Sequence, residues 1–224
     1  MNLAKRVGKY RFSPWKFCYF KKNSDIAPRK KQLIIYRTMA HGIICIETEW
    51  QLTKKGNRRD LNSEPLMKFI SESNKIKYIY KQVATRGELE YYLKQFRKKE
   101  YSSYDILYFN FHGETHQIQL EGEKEGLTLD ELQEIGGNVF EGRFVHFSSC
   151  RTLLGSEVDI ERFKNESKAK IVSGYRKSVD TYLSAIYDIA LIGAYIKYSQ
   201  KPAIFKHMSQ LYGELEKKLG FKHF

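Results

Sequence analysis

Hydrophobic positions change their period repeatedly along this chain. Residues 77–83 (KYIYKQV) alternate as a half-buried strand does, and 42–46, 104–111 (YDILYFNF), 143–148 and 169–174 are short apolar runs of strand length. Between them the period shifts to that of a helix. Residues 64–73 follow Asn62 or Ser63 as a cap, and 87–99 follow Thr85, with Leu89, Tyr92, Leu93 and Phe96 on one face. Residues 128–135 open with a Thr-x-x-Glu capping box, 159–166 and 203–219 are amphipathic, and 181–199 is a long apolar helix. Residues 118–121 read as a small hairpin arm. Strands and helices in alternation imply an α/β fold, a mostly parallel central sheet flanked by helices.

The first 31 residues do not fit this rhythm. They hold ten Lys and Arg against one acid, Asp25, whereas the remaining 193 residues carry 29 basic and 25 acidic side chains. Most of the formal charge of +13 therefore sits on an N-terminal extension. Its aromatics (Tyr10, Phe12, Trp15, Phe17, Tyr19) are spaced by two around Ser13-Pro14, as in a hairpin that packs on the domain. The alternative is a surface for an anionic ligand or nucleic acid. The division expected is an extension over 1–31 and one domain over 32–224, with a further short strand at 31–36. No run is long and apolar enough for a membrane span or a secretory signal, so a cytoplasmic protein is expected. Three cysteines (Cys18, Cys45, Cys150) at wide spacing fit neither a disulfide framework nor a zinc site, and no metal or other cofactor is expected.

In a parallel sheet the chemistry lies beyond the carboxyl ends of the strands. Four sets of residues stand there: Glu47 and Glu49, His112-Gly113, Ser149-Cys150-Arg151, and the loop from Tyr175 to Asp180. A His and a Cys at the ends of successive strands face one crevice. An ordinary thiol, with pKa about 8.5, is mostly protonated at neutral pH, and a neighbouring imidazole can take its proton. Gly113 would let a substrate carbonyl approach its backbone N–H, and the Cys150 N–H would be a second oxyanion donor. His116 is a rival base. His146, inside a core strand, reads as a packing residue, and His41-Gly42 precedes its strand and reads as structural.

The stretches FNFHGE, VHFSSCRTLLG and IVSGYRKSVDTYLSA resemble the caspase/separase group of cysteine peptidases, specifically its bacterial caspase-like (CHAT-type) members. The resemblance covers about residues 40–200, and His112 precedes Cys150 by 38 residues, near the roughly 50 usual in caspases. It implies a caspase-like three-layer sandwich and a Cys150–His112 dyad. It also points to Asp180 as a residue that recognises a basic side chain before the cleaved bond, with Glu47 and Glu49 as further acids. Asp180 has a plainer reading as the cap of the helix from Thr181. Arg176 and Lys177 share its loop and would pair with the acids or bind an acidic substrate. Ser148 departs from the family, since caspases carry there a Gln that helps bind an acidic residue.

The expected function is that of a cysteine endopeptidase, cleaving protein substrates through a thioester, after a basic residue. The resemblance further implies a bacterial defence or cell-death setting and activation by a protein partner or signalling nucleotide. The competing expectation is a catalytically silent module that holds nucleic acid or a nucleotide through the basic N-terminal region. The intact His/Cys pair weighs against it.

Overall fold

A computed structural model describes residues 42–49 and 62–224. The expected hairpin in 1–31, the expected strand at 31–36 and His41 lie outside the described residues. The described part is α/β. Its six-stranded sheet takes the order β2 (Lys77–Val83), β1 (Gly42–Thr48), β3 (Ile106–Asn110), β7 (Phe144–Phe147), β8 (Ile171–Tyr175), β9 (Phe221–His223). The first five strands are parallel and β9 runs antiparallel to β8, with Ser173 opposite His223.

Alternation along the strands explains the layers. In β1, Ile43 and Cys45 enter one apolar cluster, with Met67, Tyr187, Leu191 and Met208. Ile44 and Ile46 enter the other, with Leu89, Leu132 and Phe163. Helices α1 (Glu64–Asn74), α5 (Thr181–Lys197) and α6 (Lys201–Leu219) therefore cover one face. Helices α2 (Arg86–Phe96), α3 (Leu129–Gly136) and α4 (Glu157–Ser167) cover the other. The capping box expected at α3 forms, Thr128 with Glu131, and the cap Thr85 makes a second box with Glu88 at α2, each worth about 1 kcal/mol. No helix of the described residues is long and apolar enough to cross a membrane.

The chain passes from β1 to β2 on one side, and the next connection crosses back over β1 to β3 on its other side. This is the switch point at which open α/β sheets form a crevice. Beside it stands a second, antiparallel sheet of β4 (His112–Glu114), β5 (Gln117–Gln119) and β6 (Leu127–Thr128). The sequence shows β5 as part of a hairpin arm, but β4 merges with the end of β3. The three residues of β9 follow Gly220 too closely for any period to show.

At β9, His223 stacks on Phe205, and its pKa is pushed down to about 4 by burial and then by Lys201 and Lys222. Below the ordinary histidine value of 6.5 the unfolded chain therefore binds a proton that the folded chain resists. Its contribution to stability is complete above pH 6.5 and is lost as the pH falls towards 4. Urea midpoints at pH 7 and pH 4.5 should differ less in His223→Gln than in the parent. An unchanged difference would show that His223 is not the group responsible.

Candidate active site

The two chemistry-bearing segments are held together by backbone and small side chains. The N–H of Phe111 donates to the Ser149 hydroxyl at 3.2 Å, and the N–H of His116 donates to the Thr152 carbonyl at 3.2 Å. Arg151 pairs with Glu114 at 3.2 Å. Arg151 sits in the left-handed region, with φ +58°, so the chain turns sharply just after Cys150. Gly113 fits into that turn. A Cβ there would overlap the Cys150 carbonyl oxygen and the Thr152 hydroxyl and stand 2.9 Å from Ser149 Cβ. The glycine is thus needed first for packing of the two segments against each other, a reason that differs from the substrate approach read in the sequence.

His112 and Cys150 both line one cavity of about 300 Å³ at the carboxyl ends of β1, β3 and β7. His112 is exposed and Cys150 half-buried. The Val179 N–H donates to Cys150 Sγ at 3.4 Å. The loop carrying Val179 is fixed by the Arg151 N–H, which donates to the Lys177 carbonyl, and by the Arg176 N–H, which donates to the Gly220 carbonyl. Cys45, by contrast, is fully buried, and burial together with Glu47 raises its thiol pKa.

Of the three acids expected near the site, Glu47 alone lines the cavity among the described residues. It is fully buried, and its carboxylate accepts from the Ser63 N–H (2.9 Å) and hydroxyl (3.3 Å), the Tyr80 hydroxyl (2.6 Å) and the Asn110 side-chain amide (2.8 Å). That set of donors meets the requirement for a buried carboxylate. Glu49 is half-buried beyond β1, with its N–H on the Val83 carbonyl. Asp180 is exposed and takes the plainer of its two roles. It caps α5, accepting from the Leu183 N–H at 2.9 Å, while its neighbours Val179 and Thr181 line the cavity.

Arg176 pairs with Glu157, and the Lys177 ammonium donates to the Lys217 carbonyl, so both cations turn towards the sheet edge. The rival base His116 has φ +58° and lies 3.6 Å from Asp159, outside the cavity lining. His146 does more than pack: it is fully buried and bonded to Asp188 at 2.8 Å and to Ser173 at 2.9 Å.

The model of one protein family, described as a family of unknown function (DUF6642), matches residues 40–224. The chain belongs to the family DUF6642. The match begins two residues before β1, so the DUF6642 region holds the whole sheet, His112, Cys150 and the cavity, and the ten cations of residues 1–31 precede it. No curated protein matches the chain.

Proposed function

We propose that this protein is a cysteine endopeptidase of caspase-like type, in which His112 and Cys150 form the catalytic dyad. The observation that carries the reading is their common cavity at the ends of two adjacent parallel strands, with the Val179 N–H directed at Cys150 Sγ. His112 takes the thiol proton, and the thiolate attacks the carbonyl carbon of the peptide bond. The oxyanion is met by the N–H groups of Gly113 and Cys150. His112 returns the proton to the leaving amine, and water then hydrolyses the thioester on Cys150. The cavity takes the side chain before the cleaved bond. Its carboxylate, Glu47, supports a basic residue there.

This assignment separates the acids. Asp180→Asn should leave cleavage after Arg within about threefold of the parent, because Asn caps a helix nearly as well as Asp. Glu47→Gln should lower it by an order of magnitude or more, since losing one partner of a desolvated charge pair costs about 2–5 kcal/mol. A peptide-library profile of the purified full chain, with Cys150→Ala as control, measures both. Cleavage confined to sites after Asp, or after Leu and Met, would overturn the basic preference. No Cys150-dependent cleavage of any peptide would overturn the peptidase. The resemblance also supports a role in a bacterial defence system, switched on by a protein partner or a nucleotide.

A further inference from the structure

A polar cluster lies beneath the cavity and takes no part in the dyad. Its centre is Asp188 of α5, fully buried in an otherwise apolar helix. One carboxylate oxygen accepts from His146 Nε2 at 2.8 Å and from the Tyr175 hydroxyl. The other accepts from the Tyr108 hydroxyl at 2.8 Å and the Ser148 hydroxyl at 2.6 Å. Burial works to raise the Asp188 pKa, but His146, with the Ser148 and Tyr175 hydroxyls, outweighs it and holds the carboxyl below its ordinary value. An ionised carboxylate only accepts. Ser148 and Tyr108 each have one proton, and both protons point down at Asp188.

Ser148 and Tyr108 both line the cavity. They therefore turn lone pairs to whatever enters. Other residues of the lining behave alike. The Ser63 hydroxyl donates to Glu47, and the Asn110 amide donates to Glu47 and to Ser63 Oγ, leaving the Asn110 carbonyl oxygen as its remaining group. Asn110, Tyr108 and Ser148 together present acceptors, because their donors are taken up by Glu47, Ser63 and Asp188.

We propose that Asp188 is a positioning residue that sets specificity through Ser148 and Tyr108, by making this part of the cavity an acceptor surface for a guanidinium or ammonium side chain. The inference rests on the reading of the cavity as the substrate side-chain site and deepens it. Arginine, with five N–H donors and no acceptor, fits such a surface. Citrulline, its neutral isostere, brings a urea oxygen that would face lone pairs.

The test uses two peptides that differ only in Arg or citrulline. Binding is measured by calorimetry on the full chain carrying Cys150→Ala, and cleavage on the parent. The Arg peptide should bind about 30-fold or more tightly than its citrulline twin, the low end expected for losing a charged partner in a desolvated site. Asp188→Asn reverses the protons. Its carboxamide oxygen can serve His146 and Tyr175, its amide then donates to Ser148 and Tyr108, and their protons turn into the cavity. The Arg-to-citrulline ratio should fall to about threefold or less, a change that loss of a merely structural contact would not give.

A lower unfolding midpoint with an unchanged ratio would overturn the proposal. Should Asp188→Asn not fold, Ser148→Ala decides: the citrulline peptide should weaken no more than the Arg peptide. If it weakens more, Ser148 was donating to the ligand and the proposal is wrong. Equal binding of both peptides, or of neither, also overturns it, while Cys150-dependent cleavage in the parent would leave the peptidase standing. Preferential Arg binding with no cleavage would do the reverse.

Discussion

Replacing Cys150 with Ala should remove peptide cleavage by a factor on the order of 10⁴ or more, and His112→Ala should do nearly the same. In the proposed mechanism the thiol is the nucleophile and the imidazole its base, so each is useless without the other, and the double variant should be little worse than either single one. Neither change should unfold the protein. His112 is exposed, and the half-buried Cys150 side chain is bonded to a single backbone N–H at 3.4 Å. Unfolding midpoints close to the parent, together with lost turnover in steady-state kinetics, are the expected pair of results. Robust turnover in Cys150→Ala would remove the nucleophile from the account.

Gly113→Ala should also lower activity, by less and by a different route. The added methyl has no room, because its neighbours are the Cys150 carbonyl, the Thr152 hydroxyl and Ser149 Cβ rather than the end of a flexible chain. Either β4 or the Cys150 turn must move. Overpacking of this kind typically costs about 1–3 kcal/mol. A displacement of about 1 Å between His112 and Cys150 would lower activity on the order of 100-fold. Gly87→Ala is the matched control, since nothing lies within 4 Å of a Cβ at that position of α2. Ala is the better helix former, so Gly87→Ala should be neutral or stabilising by up to about 1 kcal/mol. Denaturant midpoints and kcat/KM for the two variants separate the packing argument from a general intolerance of substitution.

The strand ends were legible because a parallel sheet makes them so. Apolar runs bounded by His-Gly and by Ser-Cys place His112 and Cys150 side by side once the strands are paired, and β3 does lie beside β7. Glu47 was legible as the end of β1. What surrounds it was not, because Ser63, Tyr80 and Asn110 reach it from 16, 33 and 63 residues away. Asp188 shows the same limit from the other side. It is one acid in an apolar helix, and its donors Tyr108, His146 and Ser148 come from segments 40 to 80 residues earlier. Nothing local marks such a cluster, although a buried acid on the apolar face of a helix is itself a signal that a partner must exist. Asp180 carried two meanings in the sequence, and the local one, the helix cap, is the one its geometry displays.

The central claim is that Cys150 is an activated nucleophile in a substrate-binding cavity, and covalent trapping tests it most directly. The full chain would be treated with a peptidyl electrophile ending in Arg, and the adduct located by mass spectrometry. The account predicts one adduct, on Cys150, that forms much more slowly in His112→Ala and is absent in Cys150→Ala. Cys45 should stay unmodified, because burial and Glu47 hold its thiol protonated. Labelling of Cys18 or Cys45 in preference to Cys150, or labelling of Cys150 at the same rate without His112, would contradict it.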